Sequence, residues 1–150
     1  MKLPTSVNAM AKFLIINGPN LNMLGSREPE IYGSMTLEDV EKYTADKLKS
    51  TGVKHEWYQS NLEGELVERL QNAATQGFTA VIINPGGYAH TSVAIHDAIK
   101  ILQIPVIEVH ISNVYRREGF RQTLLTAKAC MAIMSGLGKD AYWLAVQSQL

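Results

Sequence analysis

Side chains able to move protons or hold anions gather in three stretches of this 150-residue sequence. The first holds Asn20, Arg27 and Tyr32, the second Asn84 and His90, and the third Glu108, His110, Ser112, Arg117 and Arg121. Glu108 and His110 stand two apart at the end of an apolar, β-branched run. Strand alternation therefore puts them on one face, where the carboxylate can orient and charge the imidazole. No Gly-x-Gly-x-x-Gly or P-loop follows the first strand, and no Gly-x-Ser-x-Gly, His-Glu-x-x-His or Cys-x-x-Cys occurs. What remains is a set of Asn, Arg, Tyr, His and Ser residues that calls for neither metal nor cofactor. Such a set suits proton transfer at carbon or a dehydration, with electrostatic stabilisation of an enolate-like intermediate.

These stretches must be positioned by the elements between them. Short β-branched runs alternate with segments of helical period, the βαβα signature of a parallel sheet covered on both faces. The pattern predicts strands at Phe13–Ile16, Val53–Tyr58, Ala80–Ile83, Pro105–Val109 and Ala129–Met134. The first is wholly apolar, as a strand buried on both sides should be; the second is more polar and belongs nearer an edge. Helices are expected from Thr36, answered by Asp39; from Ser60, paired with Glu63 as a second capping box; over Ser92–Leu102; and over Asp140–Gln149. Met1 to Ala11 read as an extension before one domain, 12–150. In an open parallel sheet, ligands sit beyond the carboxyl ends of the strands, where the strand order reverses. The loops that matter are then Asn17–Met35, Asn84–Thr91 and His110–Phe120, which carry the polar residues named above.

Composition limits the partners. Lys+Arg and Asp+Glu are both 14, so the formal net charge of zero supplies no basic excess for nucleic acid or an anionic membrane. No apolar run approaches the roughly 18 residues of a membrane span. Cys130, the single cysteine, cannot form an intrachain disulfide and is expected on the fifth strand as a small buried hydrophobe. Met1 to Met10 lack a secretory pattern. The chain reads as cytoplasmic.

The motifs carry a resemblance. Asn17-Gly-Pro-Asn-Leu-Asn-Met-Leu-Gly25 with Arg27-Glu-Pro-Glu-Ile-Tyr-Gly33, Ile83-Asn-Pro-Gly-Gly-Tyr-Ala-His-Thr-Ser92, and Ile107 through Arg121 resemble, in order, the signatures of type II 3-dehydroquinate dehydratases. Gln59-Ser60-Asn61 and Gly136-Leu-Gly138 extend the likeness from about Phe13 to the last residue. Gly87 and Ala89 depart from the usual Ala and Thr. The resemblance implies a flavodoxin-like three-layer α/β sandwich with a five-stranded parallel sheet of order 2-1-3-4-5. It also implies a hydro-lyase that takes 3-dehydroquinate to 3-dehydroshikimate by anti elimination through an enolate, without metal or cofactor. The reaction serves the shikimate pathway and aromatic amino acid biosynthesis, or quinate catabolism.

By the same resemblance Tyr32 is the base that removes the proton next to the ketone. A phenol ionises near pH 10, and a guanidinium within about 4–6 Å, here Arg27, favours the phenolate. Taken alone the two would read as a surface tyrosine and a solvated charge; the surrounding motif assigns them chemistry. His110, backed by Glu108, matches the acid that protonates the departing hydroxyl. Asn20 holds a water or the enolate oxygen. The substrate carboxylate meets Ile111, Ser112 and the side chain of His90 or Asn84, while Arg121 binds a ring hydroxyl and Arg117 is a second basic residue that closes over the site. Asp97 matches a residue that reaches a neighbouring subunit's site, within a homo-oligomer implied to be a dodecamer of four trimers. Gly25, Pro29 and Gly33 suit a mobile lid. Tyr142 and Trp143 read as core or interface packing.

Two other readings share the scaffold. A receiver or small-ligand module would show clustered acids or a flavin loop after strand one, where this chain has Asn and Arg. A different lyase or isomerase would keep the anion site and change the substrate.

Overall fold

The structure, a computed structural model, describes residues 11–26 and 28–150, apart from the side chain of Tyr32. Arg27 and all but the last residue of the expected extension lie outside the described residues. Five strands, β1 (Lys12–Asn17), β2 (Lys54–Gln59), β3 (Ala80–Asn84), β4 (Val106–His110) and β5 (Ala132–Ser135), form one parallel sheet of order β2-β1-β3-β4-β5. The helices are α1 (Pro29–Tyr32), α2 (Leu37–Leu48), α3 (Glu63–Asn72), α4 (Val93–Ile101) and α5 (Asp140–Gln147).

Alternation along β1 divides the core. Phe13 and Ile15 pack with Val40 and Leu48 of α2 and Tyr142, Ala145 and Val146 of α5. Leu14 and Ile16 face the other way, onto Leu66 and Leu70 of α3 and Ile95 and Ile99 of α4. β1 is therefore buried on both faces, whereas β2 and β5 are edge strands with partly exposed side chains. The three-layer sandwich and its strand order are those the resemblance implied.

Local signals worked unevenly. Thr36 caps α2 reciprocally: its Oγ1 accepts from the Asp39 amide at 3.1 Å, and its own amide donates to Asp39 Oδ2 at 3.0 Å. The second expected capping box does not form. The Ser60 amide donates to the Asn17 carbonyl at 3.1 Å, which keeps Ser60 in the strand ladder, and Leu62 becomes the N-cap instead. The Ser60 hydroxyl accepts from the Leu62 amide at 2.9 Å and donates to Glu65 at 2.6 Å. β5 begins three residues later than expected. The Cys130 amide bonds back to the Ala127 carbonyl at 3.1 Å, so Cys130 ends a 3-10 turn, Ala127–Ala129, instead of lying on the strand.

The register levels the strand ends. Asn17 lies opposite both Gln59 and Asn84, so the loops after β1, β2 and β3 leave the sheet side by side. Two of them interlock through backbone. The Gly18 amide donates to the Asn84 carbonyl at 2.8 Å, and a Cβ on Gly18 would lie 2.2 Å from the Pro85 carbonyl oxygen. Only glycine permits that approach.

Candidate active site

Beyond the carboxyl ends of β1, β3 and β4 lies a cleft of about 310 Å³. Asn20 lines it from the first loop, Asn84 and His90 from the second, and His110, Ile111, Ser112, Arg117 and Arg121 from the third. Eight expected site residues thus converge from positions up to about a hundred apart in the chain. Glu108 stands behind His110. Asp97 is on α4, paired with His96 at 3.1 Å, and its side chain, 68% exposed, does not line this chain's cleft. Arg27 and the Tyr32 side chain are outside the described residues. The backbone of Tyr32 ends α1, whose Glu30 and Ile31 border a larger hollow of about 920 Å³ that shares Ile111, Ser112 and Arg117 with the cleft.

His110 Nε2 lies 2.7 Å from Glu108 Oε2. Glu108 is fully buried, and its other oxygen accepts from the Thr126 hydroxyl. A carboxylate can only accept, so Nε2 carries a proton and Nδ1 is the nitrogen left to serve the cleft. The carbonyls of His110, Ile111 and Ser112 accept from the Gly136 amide, the Gly138 amide and the Ser135 hydroxyl, at 3.3, 3.0 and 3.1 Å. This pins the start of the third loop to the turn after β5.

His90 reaches the same cleft on the 3-10 turn Gly86–His90, its ring stacked on His110 with centroids 6.4 Å apart. Its Nδ1 is 2.8 Å from the Thr123 carbonyl, an acceptor only, so Nδ1 holds the proton. Burial holds the His90 imidazole below the ordinary histidine range, which leaves an Nε2 lone pair as its free function.

The arginines are braced on acids. Arg121 Nε donates to Glu118 at 2.6 Å, which holds that carboxyl below the usual range. Arg117, its side chain 8% exposed, reaches Glu28 at 3.2 Å and Ser112 Oγ at 3.4 Å, and so links the first loop to the third. Asn20 adopts a left-handed conformation, φ 68°, and its amide donates to Asn61 Oδ1 at 3.0 Å.

Residues 11–150 match the family model described as "Dehydroquinase class II". A 3-dehydroquinate dehydratase of Fusobacterium nucleatum is 51% identical over 137 residues, covering 90% of this chain and 93% of its own. One from Rhodopseudomonas palustris is 49% identical over 132 residues, covering 88% and 87%. The crystal structure of a type II dehydroquinase from Butyrivibrio crossotus superposes with a TM-score of 0.90 at 42% identity, over 92% of this chain and 96% of that one. The chain belongs to the class II dehydroquinases. It is a hydro-lyase acting on 3-dehydroquinate, the enzyme class that the motifs implied.

Three residues around this dehydroquinase site escaped the sequence reading. Thr126 holds Glu108 from 18 positions away. Asn61, quoted only as part of a motif, braces Asn20 and is itself held by Gln59 Nε2 at 3.2 Å. Tyr142, read as packing, also places its hydroxyl between Asn17 and Asn84. Motif membership was a signal for Asn61; nothing local marked the other two. Burial raises the Cys130 thiol well above its ordinary range, and its Sγ lies 3.4 Å from the Thr126 carbonyl, so it is a half-buried small side chain with a weak donor, less enclosed than expected.

Proposed function

We propose that this dehydroquinase, a single 12–150 domain, eliminates water from 3-dehydroquinate in the anti sense through an enolate, giving 3-dehydroshikimate. Tyr32, made acidic by Arg27, removes the proton next to the ketone, and Asn20 steadies the enolate oxygen or the water beside it. His110, acting with a proton on each ring nitrogen, then hands the Nδ1 proton to the departing hydroxyl, while Glu108 keeps the hydrogen bond to Nε2–H. The buried Glu108–His110 pair carries this reading: a carboxylate fixed by Thr126 on one oxygen and by the imidazole on the other orients an acid toward the cleft.

The ring is held by complementary donors and acceptors. Ile111, Ser112 and Asn84 take the carboxylate. Neutral His90 offers an Nε2 acceptor and so suits a ring hydroxyl better than an anion. Arg121 takes another hydroxyl, and Arg117 closes the first loop over the bound ring.

Tyr32→Phe should keep the fold and lower turnover by roughly 10²–10⁴-fold in an ultraviolet assay for the conjugated enone. Retained turnover would remove the tyrosine from the base role. Since every proton transfer is assigned to a side chain, a chelator should leave the wild-type rate unchanged.

The assembly proposed is a dodecamer of four trimers, in which Asp97 reaches a neighbour's cleft; its exposure, and its place outside the lining of its own cleft, support this. Sedimentation of the purified enzyme should give twelve chains, and a monomer of 16.6 kDa would overturn the assembly. We assign the enzyme to the cytoplasm, with its single cysteine as support. Among the described residues no helix is long and apolar enough to cross a membrane.

A further inference from the structure

The hydrogen-bond chain beneath the cleft has only one consistent direction. Asn84 Oδ1 accepts from the Gly86 backbone amide at 3.2 Å, and a backbone N–H can only donate, so the Asn84 amide cannot be turned over. Its Nδ2 therefore faces the Tyr142 hydroxyl, 3.0 Å away, and the phenol oxygen accepts. The phenol's one hydrogen must then go to Asn17 Oδ1, at 2.6 Å. All three side chains are buried: Asn17 and Tyr142 are 0% exposed and Asn84 3%. Burial keeps the Tyr142 phenol above the ordinary tyrosine range, so it remains a donor. Asn84 Nδ2 has two hydrogens. Tyr142 takes one, which leaves the other for the cleft that Asn84 lines.

We propose that Tyr142 is a positioning residue for the substrate. From α5, its buried hydroxyl holds the Asn84 amide on β3 with an N–H presented to the substrate carboxylate. The inference rests on the reading of Asn84 as a carboxylate contact. Among the described residues, removing the hydroxyl leaves the Asn84 amide held only by the Gly86 amide, free to swing away from the carboxylate. The helix that closes one face of the core then also sets substrate affinity, through contacts spanning 125 positions of the chain.

The test is a kinetic cycle on the full-length enzyme with 3-dehydroquinate. Tyr142→Phe should raise KM by about tenfold, the loss of one hydrogen bond to a charged group, with kcat within about twofold. Asn84→Ala should raise KM at least as much, and adding Tyr142→Phe to it should raise KM no further. A purely structural Tyr142 would lower thermal stability without this KM-against-kcat split. If Tyr142→Phe leaves KM unchanged while Asn84→Ala raises it, the positioning role is overturned and the Asn84 reading stands. If Asn84→Ala leaves KM unchanged, that reading fails and takes the inference with it. Should Tyr142→Phe not fold, Asn17→Leu decides. It removes the acceptor that orients the phenol, so a raised KM supports the proposal and an unchanged KM overturns it.

Discussion

At Glu108 both carboxylate oxygens are occupied, one by the Thr126 hydroxyl and one by His110. That double anchorage fixes which His110 nitrogen donates to Glu108, and so which nitrogen is turned to the cleft. Thr126→Val should therefore lower kcat by roughly tenfold or more, since Glu108 loses a hydrogen bond to its charged form, whereas Thr126→Ser should stay within a few-fold of wild type. Equal loss in both variants, measured by the enone assay, would show that shape and not the hydroxyl matters. The Glu108–His110 pair was legible in the sequence because strand alternation operates over two residues. Thr126 was not, because its approach depends on the turn Ala127–Ala129, which replaces the expected start of β5. Asn84 was legible as a polar residue at a strand end, but not as one whose amide is oriented by a helix 58 positions further along the chain.

Among the elements, helices α2 and α5 are joined at one residue. Asp140 Oδ1 accepts from Trp143 Nε1 at 2.8 Å and from the Tyr43 hydroxyl at 2.7 Å, and these two donors hold its carboxyl below the usual aspartate range. A depressed folded-state value means that the stabilisation is fully present above the unfolded aspartate value and is lost as pH falls through the folded one. Asp140→Ala should lower Tm by a few degrees at neutral pH, and the gap should narrow as the solution is acidified below the ordinary aspartate range. A gap that widens in acid would contradict the clamp. Helix periods and the Thr36–Asp39 box were readable because both ends of each interaction are local. Ser60 misled because a tertiary hydrogen bond to Asn17 holds its amide in the sheet, an interaction across 43 positions that no capping pattern contains.

For the whole molecule, strand order places the chemistry. The chain leaves β1 toward one edge of the sheet and returns to build the other half from β3, so the loops after β1 and β3 part at the switch point and open a crevice. The interlock of Gly18 with Pro85 keeps the floor of that crevice rigid, and the third loop, pinned to the turn after β5, walls it. This architecture followed from the alternation of apolar runs and helical periods, and from the family motifs. In the function proposed above, this architecture serves an acid and a base set on different elements: His110 on the strand framework and Tyr32 on the first loop. Such a separation predicts that their steps can be uncoupled. The most direct measurement is made by nuclear magnetic resonance on 3-dehydroquinate incubated with His110→Asn in heavy water. The account expects deuterium to enter the substrate next to the ketone while release of water falls by roughly 10²–10⁴-fold. Elimination at the wild-type rate, or exchange lost together with elimination, would contradict it.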